Sequence, residues 1–327
     1  MNTYHIIDHE GFGTIHRLLI PLCEKYQDHH LFTTGKEHFP LTERAVKDIL
    51  LAPDPYIIVH STGKMKSELL TNFRKQFEKI PASLFLHTSY HYQELKGRGD
   101  MIHDLLRLTK EYEMNVFLPS KEVAAQYGDF GIPVRTVQLG IPPVYANESH
   151  FENRPELEPY YNKIITTCCS SQPIYGFVKG LDLFEELIVR LHIQDQALIA
   201  GIDGPDRSEI PCKKFSTDDF LNILCHAKAY VQLSRYETYN LTAVQAKQFM
   251  VPTLVLGVEG AQSCMGEYAY ATIDELASAL EHVLDGQTNP SDLICCWLDS
   301  RWRESMQQFY DSLTAACTSP CNPAGNI

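Results

Sequence analysis

Leu233-Ser234-Arg235-Tyr236-Glu237-Thr238-Tyr239-Asn240-Leu241-Thr242-Ala243-Val244-Gln245-Ala246, followed by Val251-Pro252-Thr253-Leu254-Val255, carries the pattern of a parallel α/β unit. An apolar run, Ala229–Leu233, ends at Ser234 and gives way to a short polar loop. A helical pattern over Leu241–Phe249 follows, and then Pro252 opens a second β-branched run, Thr253–Leu256. Strand, loop, helix and strand form one unit of a parallel α/β array, because parallel neighbours must be joined by a crossover. Such a loop aims backbone N–H groups and the positive helix end at the crevice beyond the strand, where an anion can be held.

The same alternation fills the rest of the chain. Towards the N-terminus of this stretch lie strand Lys163–Cys169, helix Leu181–His192, strand Gln196–Ala200 and helix Thr217–Cys225. Beyond it lie strand Tyr268–Thr272, helix Ile273–Leu284 and a helical stretch, Asp292–Leu313, carrying Trp297, Trp302, Met306 and Phe309. The small, polar tail Thr314–Ile327 is expected to be loose. Before Lys163, Ala146–Tyr161 has no periodicity and reads as a linker. The first half repeats the pattern, with strands over Tyr4–Asp8, His30–Thr33, Tyr56–His60, Ser83–His87, Asn115–Pro119 and Val134–Leu139. Its helices run over Thr14–Tyr26, Leu41–Leu51, Lys64–Lys79, Asp100–Tyr112 and Lys121–Tyr127. The third places Met65, Leu69, Phe73 and Phe77 on one apolar face. Two βα arrays in one chain predict a two-domain α/β protein, residues 1–150 and 151–290, with 291–327 a C-terminal helix and tail.

The 327 residues suit two cores of this size. Apolar runs such as Ile57–Val59 and Ile164–Cys169 are too short to cross a bilayer, and Met1–His9, interrupted by His5, Asp8 and His9, does not read as a signal peptide. The ten cysteines lack a C-x-x-C motif with His or Cys partners, so they read as reduced cytoplasmic thiols and not as a zinc site. The net charge of −13 divides into −2 for residues 1–150 and −11 for 151–327. An acidic chain with no basic stripe is a poor binder of nucleic acid.

The Leu233–Val255 stretch resembles the retaining GT-B glycosyltransferases of family 4. Their second domain carries a serine–x–x–glutamate loop, a second glutamate after seven residues, a helix ending in small residues and a proline-led strand. Ser234, Glu237 and Pro252 match; Gln245 stands where the second glutamate is expected. The resemblance implies two facing Rossmann-like domains with the active site in the cleft between them. It implies that Glu237 contacts the hydroxyls of a donor sugar, that Thr238, Tyr239, Asn240 and Leu241 hold its diphosphate, and that position 245 holds the ribose. Further segments agree in the order the family requires: Gly11-Phe12-Gly13 after the first strand, Phe177-Val178-Lys179-Gly180-Leu181-Asp182, and Ala200-Gly201-Ile202-Asp203-Gly204-Pro205. Gly11, Gly13 and Gly204 would approach the donor, and Lys179, on the approach to a helix, would meet its phosphates.

In the first half His87 ends a buried run, Ser83–His87, and the resemblance makes it the histidine near the reacting sugar; His91 is its rival. His60 fits a structural position, and the other histidines mostly look exposed. Two departures stand out. The arginine expected after the second domain's first strand is replaced by Cys168-Cys169-Ser170-Ser171-Gln172, and Gln138-Leu139-Gly140-Ile141-Pro142 keeps only Gly140 and Ile141 of a proline–asparagine–glycine segment. By the resemblance, a nucleotide diphosphate-sugar gives its sugar, with retention and without metal or other cofactor, to a saccharide, lipid-linked or peptide acceptor. Gln245 and the missing arginine favour an alternative, a non-catalytic GT-B subunit that stabilises a partner enzyme. The half-formed glycine loop, with His16 in place of a third glycine, leaves a nicotinamide dehydrogenase behind both.

Overall fold

A computed structural model of the chain describes residues 1–7, 13–34, 40–63, 65–137, 139, 151–168, 170–204, 206–265, 269–286 and 300–318. The chain forms two compact units, Met1–Pro143 together with Trp302–Ile327, and Val144–Arg301.

In the first unit six parallel strands lie in the order β2-β1-β3-β4-β5-β6: β1 Asn2–Ile7, β2 His29–Thr33, β3 Pro55–Ser61, β4 Ala82–Leu86, β5 Asn115–Leu118 and β6 Val134–Thr136. Crossover helices connect them, among them Glu43–Leu51, whose first turn is closed by the Thr42 hydroxyl accepting from the Ala45 N–H at 3.2 Å. Alternate strand residues point to opposite faces. One face carries Tyr4, Ile6, Ile57, Val59, Leu84 and Leu86 into a core shared with helices Ser67–Gln76 and Gly99–Glu111. The expected apolar face of the first of these is shifted. Leu69 is 37% exposed, whereas Leu70 is fully buried. The helix starts only at Ser67, after Lys66 in extended backbone, so its inward positions count from Leu70 through Phe73.

The other face carries Thr3, His5, Tyr56, Ile58, His60, Ser83 and Phe85, all buried. A helix from the far end of the sequence, Ser300–Thr318, lies against this face. Met306, Phe309 and Leu313 are buried, Tyr310 stacks on Tyr26 at 4.0 Å, and the Arg135 guanidinium donates to the Ala316 carbonyl. Burial pushes the Cys317 thiol up to about 12, beside the Tyr56 hydroxyl. Thr314–Thr318 are therefore helical and packed, contrary to the expectation of a loose tail, because Leu313 and Ala316 are buried against the sheet; residues 319–327 lie outside the described ones. The reading of the remaining histidines as mostly exposed fails for His5 and His29, which are 0% and 4% exposed. A parallel sheet is covered on both faces, so a histidine inside a strand has no solvent side.

The second unit has the order β12-β11-β10-β7-β8-β9, again all parallel: β7 Ile164–Thr167, β8 Ala197–Ala200, β9 Cys212–Lys213, β10 Ala229–Gln232, β11 Thr253–Leu256 and β12 Ala269–Tyr270. Counted from its own first strand, this is the doubly wound Rossmann order, with the winding direction reversing between β7 and β10. The short strand β9 and the helix Glu259–Met265 had no clear periodic signal, and the expected strand Tyr268–Thr272 pairs only through Ala269 and Tyr270. Helix Leu241–Gln248 is buried nearly all round, at Leu241 and Ala243 through Lys247. Among the described residues no helix is long and apolar enough to cross a membrane.

Candidate active site

In a doubly wound sheet the ligand crevice lies beyond the carboxyl ends of the strands where the winding reverses. In the second unit those strands are β7 and β10, and their outgoing loops carry the sequence-predicted residues. The chain leaving β10 runs through Ser234 and Glu237 to Asn240, whose side chain accepts from the Ala243 N–H at 3.1 Å and starts helix Leu241–Gln248. The chain leaving β7 forms a short helix, Pro173–Lys179, turns at Gly180 and continues as helix Leu181–Arg190.

Lys179 was expected on the approach to a helix and is instead the last residue of one. Gly180 explains why. It has φ +66°, and a Cβ there would stand 1.8 Å from the Leu233 carbonyl oxygen. Only glycine lets the helix end press against the strand end, and that contact brings Lys179 to Glu237. Lys179 Nζ donates to Glu237 Oε2 at 2.6 Å. The Ser234 hydroxyl donates to the same oxygen at 3.3 Å and accepts from Gln232 Nε2 at 2.9 Å. Gln232 Nε2 also donates to the Lys179 carbonyl at 3.1 Å, while its Oε1 accepts from the Tyr230 hydroxyl at 2.6 Å and from Thr167 at 3.1 Å. Burial raises the Tyr230 phenol above its usual value, so it stays a donor. A satisfied polar chain thus runs from the strands to one carboxylate that is 8% exposed.

The backbone of Glu237 is held as firmly. Its N–H donates to Glu259 Oε2 at 3.0 Å, and its carbonyl accepts from the Gly260 N–H at 2.7 Å. A Cβ on Gly260 would stand 1.7 Å from the Thr238 carbonyl oxygen. Sequence reading missed Glu259 and Gly260, since a Glu-Gly pair after a strand carries no periodicity; a glycine closing a βα turn beside the predicted loop was the available signal.

Arg235 does not replace the missing arginine. Its guanidinium makes a bidentate pair with Asp182, both contacts 2.7 Å, and lies 4.2 Å over the Phe177 ring. Hydrogen bonding to Arg235 holds the Asp182 carboxyl below its usual range. Where the arginine was expected, a cavity of about 290 Å³ opens, lined by Ser170, Ser171, Gln172, Asp182, Ile202 and Arg207. The predicted diphosphate-facing N–H groups are partly engaged already: that of Leu241 donates to the Tyr239 carbonyl at 3.1 Å. Thr238 and Tyr239 are half-buried, Asn240 and Leu241 buried, and Gly204 lies exposed in the turn after β8.

Gln245 is 6% exposed, on a helix buried nearly all round. A carboxylate at that position would be desolvated. Gln245→Glu is expected to lower stability by about 1–3 kcal/mol at pH 7 without ligand. A buried carboxyl has its folded pKa raised, so the loss shrinks as pH falls towards 5. Melting temperatures of both forms at pH 7 and pH 5 check this; an unchanged melting temperature at pH 7 would place the side chain in solvent.

In the first unit His87 follows β4, and its N–H extends the ladder by donating to the Ser61 carbonyl at 2.7 Å. Its Nε2 lies 2.8 Å from His60 Nδ1, and burial pushes its pKa down to about 3, so the ring is neutral. His91 is exposed on helix Tyr90–Leu95. Gly13 begins helix Gly13–Lys25; Gly11 and Gly140 lie outside the described residues.

No family model matches the chain, and no curated protein sequence matches it. Solved structures do. A UDP-forming α,α-trehalose-phosphate synthase from Burkholderia xenovorans superposes with TM-score 0.62 at 12% identity, over 98% of this chain and 100% of that one. The trehalose-6-phosphate synthase OtsA gives TM-score 0.66 at 11% identity, over 98% and 99%. The fold is GT-B. The E. coli trehalose-6-phosphate synthase, whose structure was solved with UDP-2-fluoro glucose, shares this GT-B fold with TM-score 0.59 at 11% identity, over 98% and 100%. So does the N-terminal domain of a Candida albicans trehalose-6-phosphate phosphatase, with TM-score 0.60 at 10% identity, over 97% and 96%.

Proposed function

We propose that the chain is a nucleotide-sugar-dependent glycosyltransferase whose donor binds at the β7/β10 reversal of the second unit. The observation that carries the proposal is the Lys179–Glu237 pair, 2.6 Å long, fixed at the strand ends by Gly180, Gly260 and the Gln232–Ser234 chain. An ammonium has three donors, so Lys179 has the capacity to bridge Glu237 and a donor phosphate at once. The leaving diphosphate gathers negative charge as the sugar departs, and a fixed cation there stabilises the transition state more than the ground state. Glu237, partly neutralised by Lys179, accepts hydrogen bonds from sugar hydroxyls. The cavity beside Ser170–Gln172 provides room for part of the nucleoside. The family 4 resemblance supports metal-free transfer with retention, His87 beside the reacting sugar, and a saccharide, lipid-linked or peptide acceptor. UDP-glucose is the first donor to test, because three of the solved structures above are synthases whose names or ligands include UDP or glucose chemistry or the same trehalose-phosphate product.

Calorimetry with UDP and UDP-glucose, alongside GDP, ADP and dTDP sugars, tests the proposal. Lys179→Ala is expected to weaken diphosphate binding about tenfold, the loss of one charge-assisted contact of roughly 1.5 kcal/mol. Equal affinities in parent and variant would remove Lys179 from the site. A parent that binds none of these ligands would instead support the second reading, a GT-B subunit without catalysis, which Gln245 and the absent arginine favour.

A further inference from the structure

Four histidines of the first unit, three on neighbouring strands and His87 just past the end of the fourth, are hydrogen-bonded in series. His29 Nδ1 lies 2.8 Å from His5 Nε2, His5 Nδ1 lies 2.9 Å from His60 Nε2, and His60 Nδ1 lies 2.8 Å from His87 Nε2. The register explains the line. His29 is level with Thr3, His5 with Ile58, and His60 with Phe85, so each step moves one strand across and two residues up, always on the same face. Ring centroids are 5.1–5.2 Å apart throughout. The connection is always Nδ1 to Nε2 in the same sense. Among the described residues no other group hydrogen-bonds the two ends, His87 Nδ1 and His29 Nε2, and no group of three His, Cys, Asp or Glu is arranged to hold a metal ion.

We propose that His29, His5 and His60 are positioning residues that form an imidazole relay of uniform orientation, tying the nitrogen that carries the His87 proton to the tautomer of the whole series and passing a proton between His87 and the far edge of the sheet. A neutral imidazole has one N–H and one lone pair. In a series joined Nδ1 to Nε2, all four rings must carry the proton on the same nitrogen. One reversed ring would meet a neighbour N–H to N–H on one side and lone pair to lone pair on the other, leaving buried groups unsatisfied. Two states remain. With every proton on Nε2, His87 presents a bare Nδ1 and acts as a base. A proton arriving there frees the Nε2 proton of His87 to His60 Nδ1; His60 passes its own to His5, and His5 to His29, whose Nε2 proton leaves. One proton enters and one departs, every ring ends with its proton on Nδ1, and His87 has become a donor. Burial keeps the rings neutral: it holds His5 and His60 well below the ordinary imidazole value and His29 down at about 4.

The importance of this relay for sugar transfer rests on the reading of His87 given above, but its existence does not, so the test uses the full chain without donor. In 15N-histidine-labelled protein at neutral pH, the imidazole nitrogen shifts are expected to show the four rings with one shared tautomer. His5→Leu cuts the series and should shift His60 and His87 to mixed tautomers, while His5→Gln, which can accept on one side and donate on the other, should restore a single form. Opposed tautomers on adjacent rings in the parent, or identical His87 shifts in parent, Leu and Gln forms, would overturn the relay. If His5→Leu does not fold, the parent spectrum and the Gln form decide. An intact relay in a protein whose transfer activity survives His87→Ala would leave the relay standing and remove His87 from the reaction.

Discussion

Glu237→Ala is expected to reduce sugar transfer at least a hundredfold while the second unit stays folded. The reduction corresponds to about 2.7 kcal/mol or more of transition-state stabilisation. The geometry separates this from a loss of fold. The Glu237 carboxylate stands at the outer end of the buried Gln232–Ser234 chain, with only the partly exposed Lys179 ammonium beyond it. Its removal leaves Ser234 without one acceptor and Lys179 without its 2.6 Å partner, but the Lys179 side chain is 26% exposed and can be solvated. The backbone bonds from Glu237 to Glu259 and Gly260 do not involve the carboxylate and remain. Glu237→Gln keeps the shape and one acceptor but loses the charge that pairs with Lys179, and should retain more activity than alanine. Initial rates with a nucleotide-sugar donor, read beside melting temperature, check this. Activity of the alanine form within threefold of the parent would make Glu237 a structural carboxylate.

The second large effect is on acid stability. Unfolding of the first unit between about pH 5 and 6 is expected to take up as many as four protons. In the unfolded chain imidazoles titrate near 6.5. In the folded unit burial holds His29 at about 4, His87 at about 3, and His5 and His60 well below 6.5. A group whose folded value is lowered binds fewer protons in the native state across that interval, so stability is present in full above about pH 6.5 and is lost as pH falls below it. Each ring contributes up to about 1.4 kcal/mol per pH unit, so the four together up to about 5.5 kcal/mol per pH unit. Asp28 pulls His29 the opposite way, whereas His30 and the N-terminal amine add to its lowering. Urea unfolding at pH 7.0, 6.0 and 5.5 measures the slope. An uptake below one proton would mean that the rings are charged or solvated in the native unit.

Much of the architecture was legible because parallel strands bury both faces and read as short, uninterrupted apolar runs; Val116–Leu118 and Ala197–Ala200 carry that signal directly. The Ser234–Glu237 loop was legible for a related reason, as polar residues between a buried strand and a buried helix. What escaped depends on contacts between segments distant in sequence. Gly180 was one residue of a family-like segment until the Leu233 carbonyl was beside it, and Glu259 and Gly260 acquire their meaning only from the backbone of Glu237 and Thr238. The histidines were read one at a time. His60 fitted a structural position and His87 a functional one, but His5 and His29 gave no sign of belonging with them, because the diagonal that joins them exists only once four strands are in register.

The helix Ser300–Thr318 covers a sheet face built from the first third of the chain. The ribosome therefore releases that sheet with Thr3, His5, Tyr56, His60 and Phe85 uncovered, and the buried residues of the covering helix, Met306 to Ala316, are translated only after all of Val144–Arg301. The second unit is contiguous in sequence and has all its strands before synthesis ends; the first, although made earlier, is the later of the two to be completed. During that interval the bare face is the part of the nascent chain most in need of a chaperone.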